Sequence, residues 1–280
     1  MSTHAQSKPR PVREAQKGGE KVARSRGFEW LSRAGFVARG AVYVTIGVLA
    51  LGVALGIGGK TTNQQGALQT IAQQPFGKVV LILLAAGFAG YALWRLVHVL
   101  IGHGPERSDD SFERIAAFGS GVVYVGLCVI AVKVLVGSGG NSSESEHHAT
   151  AGVFGWPAGT WLVAIVGVAL IGVALFQGYR VVTRKYLEEE KTGEMSPEVR
   201  HAVEGIATVG HLARMVVFGL VGVLLIEAAV EYDPGKPVGL DGALAKLAHS
   251  PYGPYLLGIV AAGLIAFGLY SFIDARYRRI

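Results

Sequence analysis

Charge is what this 280-residue sequence is short of. Asp, Glu, Lys and Arg make up only 16% of it, against about 25% in a soluble domain, and the shortfall falls in long apolar stretches. A single cysteine, Cys128, excludes an internal disulfide and any Cys-x-x-Cys site; lying in an apolar run, it reads as a small packing residue. Prolines number only 10 and the 40 glycines follow no triplet period, which excludes collagen-like and proline-rich disordered chains. There is no Gly-x-Ser-x-Gly, His-Glu-x-x-His or Cys-x-x-Cys-His, so hydrolase, zinc-protease and covalent-haem chemistries lack their residues. Residues 1–27 lack the apolar core and cleavage site of a secretory signal and read as a basic disordered tail.

What is present is hydrophobic, 51% of the chain. Six apolar stretches are long enough to cross a hydrocarbon core of about 30 Å as helices. They run Phe36 to Ile57, Gly77 to Ile101, Ile115 to Val136, Trp161 to Val182, Val209 to Val230 and Tyr255 to Ile273. Loops rich in Lys and Arg stay on the cytosolic side. Placing the amino terminus inside puts 21 of the 26 basic residues, and all sixteen arginines, on that side. Both termini are therefore expected in the cytosol. A cysteine placed at Ser143 should then react with an impermeant reagent from outside and one at Thr192 should not; reversed labelling would invert every assignment of side.

The chain repeats itself. Gly66-Ala67-Leu68, Pro75-Phe76-Gly77 and Ala85-Ala86-Gly87 return as Gly242-Ala243-Leu244, Pro251-Tyr252-Gly253 and Ala261-Ala262-Gly263 at an offset of 176. Upstream, Gly35, Ala38, Arg39 and Tyr43 return as Gly210, Ala213, Arg214 and Phe218 at 175. A weaker middle copy has Tyr124 at offset 81 and Pro157, Gly159 and Gly172 at 82. The sequence is thus three tandem helical hairpins, over 28–102, 111–184 and 198–280. Repeats of equal orientation are related by an axis along the membrane normal, so the expected fold is an all-α membrane protein, six helices in a pseudo-threefold bundle. Residues 66–74 and 240–249 place their apolar residues on one helical face and are expected in the outer interface.

This block, followed by Gly90-Tyr91-Ala92-Leu93-Trp94-Arg95, resembles the bacterial membrane family known as domain of unknown function 1206, across Trp30 to Tyr277. The resemblance implies a plasma-membrane location and three two-helix units, and supplies no catalytic residues. Repeat two departs from it, with Ser120 in place of Arg39 and Arg214 and without the Gly-Ala-Leu helix.

Glycines at 52 and 56, 87 and 90, 219 and 222, and 258, 263 and 268 offer faces for close helix approach. Other motifs lead nowhere. Gly59-Lys60-Thr61 ends a relaxed phosphate-loop pattern but follows a membrane helix where that chemistry needs a strand. Glu144, Glu146, His147 and His148 read as a solvated outer loop rather than a metal site, and a haem between His98 and His211 has no further support. No cofactor is expected. The eight Lys and Arg from Lys8 to Arg33 should attract anionic lipid head groups, whereas nucleic acid is not expected without a folded reading module.

Aligning the repeats exposes two polar sets. Lys133 and Glu227 correspond to Gly52, so the two are expected to face the axis and pair. Near the inner ends, His98, Arg180 and Asp274 correspond; Asp274 is expected to meet Arg180 in a partly solvated pair. Arg39 and Arg214 lie on the opposite face of the first helices from Lys133 and Glu227. With no nucleophile, metal cluster or cofactor motif, an enzyme is not expected. The residues favour a non-enzymatic scaffold or accessory protein with a membrane protein partner. The alternative is a small-solute, ion or lipid-binding permeation protein with a site between the hairpins.

Overall fold

The computed structural model describes residues 26–101, 111–139, 151–184, 195–233, 236 and 238–278. The tail before Arg26, the Glu144 to His148 cluster, Ser143, Thr192 and the side chain of His98 lie outside the described residues. The helices are α1 (Arg26–Ala54), α2 (Gln64–Ala72), α3 (Gly77–Ile101), α4 (Ser111–Leu135), α5 (Gly159–Thr183), α6 (Pro197–Glu231), α7 (Leu240–Ala248) and α8 (Gly253–Tyr277), and no strand occurs among the described residues. Six of them, α1, α3, α4, α5, α6 and α8, are long and apolar enough to span a bilayer. The protein is an all-α membrane protein, in which helices satisfy every backbone group that lipid cannot.

α6 outruns its apolar stretch. Its 35 residues extend about 52 Å at 1.5 Å per residue. Ser196 caps it by accepting from Val199 N, with Pro197 at the first turn. The segment from Pro197 to Glu204, ahead of the apolar stretch, forms about two polar helical turns of this extension.

The spanning helices pack in the order α4, α3, α1, α8, α6, α5. A threefold ring of hairpins predicts all of these contacts and one more, between α4 and α5. That one is missing: among the described residues the arms of the second hairpin form no packed interface. The other contacts follow the repeat residue by residue. In the first hairpin, a Cβ built on Gly87 would meet Ala34 O at 2.7 Å and Ala38 Cβ at 3.2 Å; in the third, one on Gly263 would meet Val209 O at 3.3 Å and Ala213 Cβ at 2.4 Å. These are equivalent positions. In the second hairpin the places of Gly35 and Gly87 are taken by Ala116 and Ala169, so the close crossing that glycine permits is lost on both arms.

The seams between hairpins also correspond. A Cβ on Gly47 would stand 2.8 Å from Ala261 O, and one on the equivalent Gly222 would stand 2.7 Å from Gly167 O. Further in, Gly40 receives Phe272, Gly121 receives Leu96, and in the third seam the sizes swap, Gly178 receiving Met215. Cys128 packs in the α3–α4 seam, its thiol donating to Ala85 O at 3.5 Å. Of the glycines expected to pack, Gly87, Gly90, Gly222, Gly263 and Gly268 do so tightly, while Gly56 serves the turn after α1 at φ +67°.

At the outer end each repeat turns the same corner. Gly77 N donates to Gln74 O at 2.8 Å, Gly159 N to Trp156 O at 2.9 Å and Gly253 N to Ser250 O at 2.8 Å. The residue before each glycine is left-handed, at φ +63° for Phe76, +66° for Ala158 and +62° for Tyr252. Repeat two therefore keeps the corner, and residues 151–154 form a helical turn where α2 and α7 stand in the other repeats. α2 and α7 turn their Gly-Ala-Leu faces into the bundle instead of lying in the lipid interface: Ala67, Leu68, Ala243 and Leu244 are fully buried. The apolar face that suggested an interfacial helix is spent on the ends of the spanning helices, α1, α3 and α4 for α2 and α6, α8 and α1 for α7.

Candidate functional site

Near the inner end, the α1–α8 seam holds a buried ion network. Arg39 Nη2 donates to Asp274 Oδ2 at 2.5 Å and Arg39 Nε to Ser271 Oγ at 3.0 Å. Ser271 Oγ in turn donates a hydrogen bond to Phe267 O at 2.9 Å, and Arg278 Nη1 donates to Asp274 Oδ1 at 3.4 Å. The Asp274 side chain is 1% exposed. Asp274 is thus a buried counter-charge for Arg39 and Arg278, not a partly solvated partner of Arg180. It sits one turn from the end of α8 on the face that α1 covers, so it cannot reach the interface.

The equivalent α5–α6 seam holds Arg214 with Gln177 in the place of Ser271 and Arg180 in the place of Asp274. Oriented by its neighbours, the Gln177 amide oxygen accepts from Arg214 Nη1 at 3.0 Å and Nη2 at 3.3 Å, while its nitrogen donates to His211 Nδ1 at 3.3 Å. Where Arg39 meets a carboxylate, Arg214 therefore meets an amide. Arg214 has no carboxylate partner among the described residues, and its buried Nε has no hydrogen bond. Aromatic faces hold it instead: its guanidinium carbon lies 4.3 Å from the centroid of Phe267, 4.9 Å from Phe218 and 5.7 Å from Tyr43. Arg39 lies 5.1 Å from the same Phe267 ring. Two arginines thus flank one ring, with a carboxylate beside only one of them.

In the α3–α4 seam Ser120 removes the arginine, and Arg95 bonds the hydroxyl of Tyr91 at 3.0 and 3.2 Å. The Tyr91 and Tyr124 rings meet tilted at 47°, centroids 4.2 Å apart, which places the α4 aromatic ring against the same interior. Tyr91 and Phe267 wedge the first and third hairpins, packed on Gly35 and Gly210. The second hairpin has Val173 at that position.

The outer polar set does not form the expected pair. Glu227 accepts from Lys246 Nζ of α7 at 2.9 Å through both oxygens, and Lys133 is exposed. Lys246 follows the Gly-Ala-Leu face by one turn, so packing α7 onto α6 brings its amine to Glu227 before Lys133 can approach. The pair is half exposed, and such pairs contribute about 1 kcal/mol or less. Gly59, Lys60 and Thr61 line an outer cavity of about 380 Å³ with Asp241 and His249; Asn63, not a phosphate, caps the helix that follows.

The sequence singled out Arg39, Arg214, Arg180 and Asp274, and the structure brings these four to neighbouring seams. It sets Lys133 and Glu227 apart. Gln177, Tyr91, Tyr124 and Phe267 were missed, although the offsets that align Asp274 with Arg180 also align Ser271 with Gln177 and Arg95. His211, considered as a haem ligand, packs edge-on to Phe267 and Tyr270 beside Gln177.

The repeat seen in this geometry is also the one that family comparison finds. The model of the Domain of Unknown Function (DUF1206) matches residues 34–102, 115–184 and 209–278. The chain belongs to the DUF1206 family. A relative, the uncharacterized protein YxxB of Bacillus subtilis (strain 168), is 33% identical over 251 residues, covering 89% of this chain and 90% of the relative. No solved structure matches. Membership agrees with three two-helix units, and the splayed second unit is one of the three segments that the DUF1206 model matches.

Proposed function

We propose that this DUF1206 protein is a non-enzymatic ligand-binding or permeation protein of the bacterial plasma membrane, with both termini in the cytosol and its site between the hairpins. The observation that supports this reading over a scaffold is Arg214, a cation inside the bundle whose equivalent, Arg39, has a carboxylate and which itself has none among the described residues. A protein built only to pack would gain by keeping the aspartate in both seams, because an uncompensated charge in a low-dielectric interior is expensive. An anionic ligand supplies the missing charge. The basic tail, near an anionic inner leaflet, would raise the local concentration of such a ligand.

Flux and retention measured together in proteoliposomes test this. Wild-type protein is expected to retain or pass anionic solutes in preference to cationic ones of similar size. If it is impermeable to a broad panel and retains nothing, the scaffold reading returns, with a membrane protein partner to be sought.

A further inference from the structure

The unpacked seam between α4 and α5 gives the interior a side entrance. Val42 of α1 and Val217 of α6 are 2% and 3% exposed, whereas the equivalent Val123 of α4 is 59% exposed. On the partner helices Leu84 and Val260 are buried, but Val166 of α5 is 51% exposed. Cβ atoms added at Gly119 and Gly126 of α4, or at Gly172 of α5, would meet nothing within 4 Å. The positions that close the first and third hairpins therefore line an open apolar cleft in the second. Val173 cannot wedge this cleft as Tyr91 and Phe267 wedge theirs. On α5, Gln177 follows Val173 by one turn, and Arg214 lies against its amide.

An apolar slot ending at an uncompensated guanidinium has the chemistry of an anionic amphiphile. We propose that the ligand is a single anionic lipid, its phosphate or carboxylate head on Arg214 and one acyl chain in the seam between α4 and α5; this rests on the reading that the site lies between the hairpins. The head would replace, at the α5–α6 seam, the carboxylate that Asp274 supplies to Arg39 at the α1–α8 seam. Gln177 holds Arg214 through Nη1 and Nη2 and leaves Nε for the incoming oxygen. A free inorganic anion offers the same oxygens without the chain and would leave the cleft unexplained.

The test uses the full-length protein, delipidated in a non-ionic detergent. Bound species are counted by native mass spectrometry and binding is followed by thermal shift. The probes are phosphatidylglycerol, phosphatidylcholine and inorganic phosphate. Wild type is expected to bind one phosphatidylglycerol that phosphatidylcholine does not displace. Arg214→Gln and, separately, Gly172→Leu should each weaken it about tenfold or more, while Arg184→Gln, on an exposed inner-end arginine, should not. Leucine at Gly172 enters open space, so that variant decides the matter if Arg214→Gln fails to fold. Equal phosphatidylglycerol binding by wild type and Gly172→Leu would overturn the lipid assignment. So would inorganic phosphate alone giving the full Arg214-dependent shift, an outcome that leaves the interior anion site standing. Binding of neither probe would remove both readings.

Discussion

Asp274→Asn is expected to destabilise the protein by about 3 to 5 kcal/mol, the loss typical of a buried ion pair that keeps one partner. The carboxylate faces two guanidiniums, Arg39 at 2.5 Å and Arg278 at 3.4 Å, whose side chains are only 10% and 7% exposed. Asparagine keeps the shape and one acceptor, so the loss reports charge and not packing. Arg39→Gln in the same background should return part of it, because the buried cation is removed as well. Thermal denaturation of the four proteins in detergent checks this. Strictly additive losses would show that Arg39 and Asp274 do not act on each other. The equivalent change in the next seam, Arg214→Gln, should be neutral or stabilising in delipidated protein, since it removes a charge that has no carboxylate there.

Gly253→Ala should destabilise by about 3 kcal/mol or more, at the upper end of what overpacking a core produces. Its Cβ would lie 2.0 Å from Ala248 O, and the same atom on Gly159 would lie 1.8 Å from Val153 O. Both obstacles are backbone at the tightest point of the outer corner, so no side chain can rotate away to relieve them. Gly159→Ala is expected to behave alike, which would show that the second repeat depends on the same corner despite its weaker sequence. Gly205→Ala, with open space around it, is the control and should change little. At the preceding residue the sign reverses. Ala158→Gly should stabilise modestly, because alanine there is held at φ +66°, a conformation that costs a non-glycine residue about 1 kcal/mol.

The six spans, the three repeats and the pseudo-threefold order were legible because hydrophobic length and an ungapped offset survive in the sequence. The break in the ring leaves a trace there too, in Ala116 and Ala169 where the other hairpins cross on glycine. Alanine is itself a small residue that helices in lipid use for close approach, so the sequence alone does not say that these two positions part the arms. The burial of Asp274 was not legible: a charge one turn from a helix end can snorkel or turn inward, and only the position of α1 decides which. Glu227 found Lys246 because α7 folds into the bundle, a packing choice that its amphipathic pattern, equally suited to lipid, leaves open. For Arg214 the sequence supplied both halves of the argument, the aspartate aligned with Arg180 and the arginine repeated. What it could not supply was that each second helix packs against the first helix of the next repeat, and hence that Asp274 belongs to Arg39 and Arg180 stands beside Arg214.

The central claim is a threefold ring open at one hairpin, and distances between spin labels at equivalent exposed sites measure it. Val37 with Leu83, Phe118 with Ile165 and Leu212 with Ile259 are matched pairs, one across each hairpin, and all six residues are exposed. Each pair would be changed to cysteine in full-length protein, labelled and measured by pulsed electron resonance in lipid nanodiscs. The account predicts closely similar distances for the first and third hairpins and a longer one between α4 and α5. Three equal distances, or a second hairpin as closed as the others, would contradict it.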